Sequence, residues 1–133
     1  MKEKREAITA KGVFFSPLFS QAIRAGNRVS VSGIVAMNAN NELVGVGDFR
    51  QQAAFVFGAL HTILKANDSG MSWLLKVEIY LTDRSQYPAL NDIWRTRVLA
   101  FCQPPPARVT VVSQLVLPSL LIEVAAEALV KAE

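Results

Sequence analysis

Between Phe49 and Leu64 the apolar residues fall at helical spacing, while on both sides of that stretch they alternate one by one. Phe49, Ala53, Val56, Phe57, Leu60, Ile63 and Leu64 form a single stripe, and Asp48 is placed to cap the first turn. Before the stripe, Arg28 to Val35 sets Val29, Val31 and Val35 against Arg28, Ser30 and Ser32. After it, Leu75, Val77, Ile79 and Leu81 alternate with Lys76, Glu78 and Tyr80. A chain whose hydrophobic period switches in this way must build helices and a sheet against one core.

The remaining elements follow from breakers and periodicity. "GVFF" (Gly12 to Phe15) reads as a short strand, and "AGN" (Ala25 to Asn27) as the turn of a hairpin leading into Arg28–Val35. "MNANNELVGVGD" is a loop, and "NDSG" ends the first helix. A second helix is expected from Pro88 to Phe101, with Leu90, Ile93, Trp94, Arg97, Val98 and Phe101 on its inner face. Pro104 to Pro106 close it. Two final strands, Ala107 to Leu115 and Leu120 to Val130, complete the order strand-strand-helix-strand-helix-strand-strand. With no linker or low-complexity tract, residues 1–133 read as one domain with a core from about 12 to 130. Two helices on one face of a mixed sheet make a two-layer α+β fold. The other sheet face then needs a cover, and a second copy of the chain supplies one.

The chain is 51% hydrophobic and only 19% charged, rich for a small monomer, which also favours a homo-oligomer. Its net charge of +3 comes partly from Lys2, Lys4 and Arg5, in a terminus expected to fray. The other basic residues are scattered, with no basic stripe interleaved with aromatics, so nucleic-acid binding finds no support. One cysteine, no apolar run of membrane-spanning length and no signal-peptide core in "MKEKREAITA" lead to the expectation of a cytoplasmic protein without a membrane partner.

The polar residues inside apolar strands carry the chemistry. Arg108, Thr110 and Val112 share one strand face, leaving Val109 and Val111 to pack on the other. Glu123 and Glu127 share a face in the last strand, and Ser30 and Ser32 in an early one. Where such faces coincide, a guanidinium, a carboxylate and hydroxyls line one apolar wall, as in a small-molecule pocket. The arginine fork suits a substrate carboxylate, and a neighbouring glutamate can move a proton or orient water. From spacing alone, Arg108 serves equally as a structural partner of Glu123 across an interface. Asn91 reads as a cap, Cys102 as a small hydrophobe, and Trp73 and Trp94 as packing or interface residues. His61, with no ligand array around it, reads as a rim residue of its helix, so no metal site is expected.

Several blocks, in order from about Gly12 to Ala128, resemble one known family. They are "FSQAIRAGNRVSVSG", "GVGDFRQQAAFVFGAL…VEIYLTD", "YPALNDIWR", "PPARVTV" and "LPSLLIEVAAEAL". Together they resemble the RidA/YjgF-like reactive-intermediate (enamine/imine) deaminases. The resemblance implies a chorismate-mutase-like subunit in a homotrimer, with pockets between adjacent subunits and neither metal nor organic cofactor. It implies hydrolysis of 2-imino or 2-aminoacrylate-type acids to a 2-keto acid and ammonia. Position by position, Arg108 falls on the arginine that holds the substrate carboxylate and Glu123 on the glutamate that orients water. Ser32 and Gly33 fall on the pocket "SG", Asn91 on the asparagine near the water, and Thr110 on the residue that frames the substrate. Phe19 replaces the family's pocket tyrosine, and Ile34 stands where glutamine is common. Both changes make the pocket less polar and direct the expectation toward a bulkier or more apolar imino acid. A non-catalytic keto-acid-binding or regulatory protein of the same fold is the alternative that Phe19 favours. An RNA-cleaving role, reported for some members, finds neither paired histidines nor a basic stripe here.

Overall fold

The computed structural model describes residues 4–131. A six-stranded mixed sheet is covered on one face by two helices. The strands are β1 (Arg5–Glu6), β2 (Ala22–Ala25), β3 (Arg28–Ile34), β4 (Leu74–Leu81), β5 (Ala107–Val112) and β6 (Ile122–Leu129). Their order across the sheet is β1-β2-β3-β6-β4-β5. Only the β4–β5 pair is parallel, and the helix α2 (Tyr87–Trp94) lies in the crossover between them.

The helix α1 (Phe49–Ala66) has the expected stripe buried, and the Asp48 carboxylate accepts the Gln51 N–H at 3.1 Å as its cap. It ends at Asn67, and Asp68 takes the left-handed conformation (φ 55°) that reverses the chain. Against α1 lie Val29, Val31, Val77, Ile79, Leu81, Val124 and Ala126, inward residues of β3, β4 and β6. The β2–β3 hairpin turns on Gly26 (φ 58°) and Asn27, as the "AGN" signal requires.

Five local expectations are corrected. "GVFF" is not a strand: Val13 makes one isolated bridge to Asn38, and the Phe14 carbonyl accepts from the Gln21 side chain. Arg5 does not fray but pairs opposite Ala25 in β1, while Lys2 lies outside the described residues. In β4 a register shift puts Leu74, not Leu75, in the buried phase. The second helix widens into a π-turn over Arg95–Leu99. The extra residue per turn rotates Arg97 and Phe101 out to solvent and brings Cys102 inward instead. Finally, β5 stops at Val112, because its partner β4 ends at Leu81. Val109 and Val111, opposite Glu78 and Tyr80, lie on the sheet face that the helices leave uncovered and are exposed rather than packed.

Two buried glutamines fasten the loops that matter for the site. Gln52, wholly enclosed on α1, donates to the Ser119 and Gly45 carbonyls (2.9 and 3.2 Å) and accepts the Leu121 N–H at 2.8 Å. Gln21 accepts the Ala10 N–H at 2.8 Å and donates to the Phe14 carbonyl at 3.0 Å. Backbone groups that no strand partner satisfies are paired by side chains in both places.

Candidate active site

Neighbouring residues across a sheet point to the same face, so register decides which polar groups meet. Arg108 lies opposite Val77, and Thr110 opposite Ile79, both of which face the helices. Glu123 lies opposite Tyr80, on the open face of the sheet. Within one chain the expected coincidence of faces therefore fails. Arg108 and Glu123 stand on opposite sides of the sheet and make no ion pair with each other.

The sequence-derived residues fall into two groups. In the first, the Arg108 guanidinium donates to the Asn91 side-chain oxygen and to the Tyr87 hydroxyl, both at 3.0 Å. It stands over the Trp94 ring at 5.0 Å and near the Tyr87 ring at 5.7 Å. Trp94 is itself held edge-on by Phe57, with ring centroids 6.1 Å apart. No carboxylate pairs with Arg108 among the described residues. Two hydrogen bonds and a stacked ring thus aim a cation whose remaining donors are open. Asn91 serves as its brace, and half-buried Thr110 lies on the same strand face.

In the second group, Phe19, Ser32, Gly33 and Glu123 line one cavity of about 410 Å³. Its other walls are mostly apolar and include Val13, Phe14, Ile34 and Met37. A β-bulge forms here, because β3 uses three residues from Val31 to Ile34 where β6 uses two from Ala126 to Val124. The bulge presents Gly33 to the Glu123 carboxylate so closely that a Cβ at position 33 would overlap it. Burial raises the Glu123 pKa above its ordinary value. Beside it, the Tyr80 hydroxyl donates to Glu78 at 2.9 Å, and this bond and the Glu78 charge raise the tyrosine's pKa. The Ser32 hydroxyl donates to the Ser20 carbonyl at 2.6 Å, so toward the cavity it can only accept. Phe19 is 52% exposed at the cavity mouth.

Tyr87 is the residue that sequence reasoning did not single out. Its signal was its position four residues before Asn91, one helical turn away on the same face. Trp94 was read as packing and also holds the guanidinium. Ser30 is exposed on the open face, and Cys102 is buried, where desolvation raises its thiol pKa. His61 is an exposed residue of α1, and no group of three or more His, Cys, Asp or Glu that could hold a metal occurs among the described residues. No helix among them is long and apolar enough to cross a membrane.

The family model described as Endoribonuclease L-PSP, of the YjgF/RidA family, matches residues 15–130. The chain belongs to this family. Among its relatives, the chain is similar to the 2-iminobutanoate/2-iminopropanoate deaminase of Dermatophagoides farinae. They are 33% identical over 93 residues, 70% of each chain. It is also similar to the 3-aminoacrylate deaminase RutC of Acinetobacter baylyi, with 36% identity over 107 residues, 80% of this chain and 82% of that one. Among solved structures, RidA from an Antarctic Psychrobacter superposes with a TM-score of 0.84. It is 26% identical, covering 94% of this chain and 99% of that one. The two-layer YjgF/RidA architecture expected from the sequence is thus the observed one.

Proposed function

We propose that this YjgF/RidA-family protein is a hydrolytic deaminase of 2-imino acids and their enamine tautomers. We propose further that its site forms where two protomers of a homotrimer meet. The observation that carries this reading is the division of the site. One sheet face offers a braced, unpaired guanidinium without an acid, and the other carries a half-buried acid at the wall of a cavity with no cation among its lining residues. Each is half of what a small carboxylate substrate needs. Apposing β5 of one copy to the open face of another joins them and also covers the exposed Val109, Val111 and Val116.

In this reading Arg108 pairs with the substrate carboxylate through its free donors. The enamine tautomerises to the imine. Glu123, as the carboxylate, accepts a proton from water as the water oxygen bonds to the C=N carbon. That proton passes to nitrogen, giving a carbinolamine; its hydroxyl proton then moves through Glu123 to the amino group, the C–N bond breaks as C=O forms, and ammonia leaves with a 2-keto acid. The Arg108 charge, held still by Asn91, Tyr87 and Trp94, needs no reorganisation as charge shifts. No cofactor takes part. Phe19 and Ile34, with Val13 and Met37, supply an apolar wall, which supports imino acids with larger aliphatic or aromatic side chains.

The test generates 2-imino acids of graded size with an amino-acid oxidase and follows their loss. Wild type should accelerate hydrolysis, most for the larger side chains, and Arg108→Ala should lose at least about a hundredfold in kcat/KM. Equal rates for wild type and Arg108→Ala across the panel would overturn the enzymatic reading. Binding of 2-keto acids without turnover would install the binding-protein alternative in its place.

A further inference from the structure

A second cavity, of about 390 Å³, opens on the helical side of the molecule and shares no lining residue with the Glu123 cavity. Its floor is the α1 stripe Phe57, His61 and Lys65, spaced one turn apart, and Gly58 leaves it open by lacking a side chain. The π-turn supplies one wall, swinging out Arg97 and, just beyond it, Phe101, which is 60% exposed. Lys131, after β6, supplies the opposite rim. Three cationic side chains from three separate segments thus surround a hollow walled by the exposed Phe101, and no carboxylate lines the cavity among the described residues. None of the three makes an ion pair among the described residues, although Arg24, Arg50 and Arg95 all do.

Like charges converge around an apolar hollow at a cost unless an anion joins them. The volume suits a small molecule rather than a peptide segment. We propose that this cavity is a binding site for a small aromatic carboxylate. The ring lies against Phe101 in the space that Gly58 leaves open, and the carboxylate meets Arg97, Lys65 and Lys131. The site is separate from the deaminase reading and does not depend on it. A π-turn, rather than a straight helix, gives it a reason: with α-helical spacing Arg97 and Phe101 would lie on the inner face of the helix.

The experiment titrates the full-length protein with 2-naphthoate, followed by calorimetry, and with uncharged 2-naphthylmethanol for comparison. Saturable one-to-one binding of naphthoate is expected, with the alcohol at least about tenfold weaker. The triple variant Lys65→Gln, Arg97→Gln, Lys131→Gln should weaken naphthoate at least about tenfold and leave the alcohol unchanged. Gly58→Leu, which fills open space at a helical position and should fold well, should abolish binding of both. Arg108→Ala should bind naphthoate as wild type does. The proposal is overturned if no saturable binding occurs, if Arg108→Ala loses it, or if Gly58→Leu and the triple variant both retain it.

Discussion

Gly33 and Glu123 show how a single missing side chain can place a catalytic candidate. The bulge in β3 brings the glycine against the carboxylate, leaving no room for a methyl group. The crowded atoms are the tip of a flexible side chain, so Gly33→Ala should fold with little loss of stability while pushing Glu123 out of place. We expect imine hydrolysis to fall at least about tenfold while Tm moves by no more than a few degrees, compared by kinetics and calorimetry on the same preparation. Glu123 itself carries a pH signature. Burial raises its pKa in the fold above the unfolded value, so the fold holds that proton more tightly. The associated stability is present in full below the unfolded pKa and is lost as pH rises through the raised, folded value. Glu123→Gln should therefore melt higher than wild type at neutral pH, with the gap closing in acid. A gap that widens in acid would contradict the burial argument. Both residues were identified from short motifs, but the cause of their closeness was not legible. A bulge depends on how many residues each strand spends between two pairings, which a single strand's alternation does not encode.

At the scale of elements, the helix α1 and the strands β3, β4 and β6 were legible because each has one buried face and a regular period, broken only at the β3 bulge and at the start of β4. The failures have a common origin. "GVFF" looks like a strand, yet its carbonyls are satisfied by Gln21, a long-range side-chain bond that local pattern cannot foresee. The π-turn is invisible to a helical template with fixed spacing, so Arg97 and Phe101 were placed on the wrong side. The division of the site was hidden for a related reason. Alternation assigns residues to faces of their own strand, and only the pairing of β5 with β4 relates those faces to Glu123. Gln52 is the element-level counterpart of Gly33. Of its three bonds to main-chain groups, two join α1 to the turn before β6 and the third holds Gly45 in the loop before α1. Gln52→Leu keeps the volume but strands those groups, and should cost about 2–4 kcal/mol in denaturant unfolding. Activity should fall with it, since Leu121 leads directly into Glu123.

For the molecule as a whole, two half-sites on opposite faces make a sharp demand on assembly. If sites form between protomers, Arg108→Ala and Glu123→Ala subunits should complement each other. Denatured together in equal amounts and refolded, they should recover roughly a quarter of wild-type activity, because half the sites draw an intact arginine and half of those an intact glutamate. Mixing without subunit exchange should recover none. Activity that stays absent after verified exchange would count against a shared site.

The sheet order has a consequence of another kind. The last described strand in chain order, β6, lies in the middle of the sheet, hydrogen-bonded to β3 on one side and β4 on the other. Until it arrives, β1–β2–β3 and β4–β5 have no strand to join them, and α1 rests on an incomplete floor. Without β6 the sheet is two pieces with open edges, connected only by the chain and by α1. The core closes only when residues 122–129 insert between them, so the sequence that carries Glu123 is also the one that turns those pieces into a single cooperative fold.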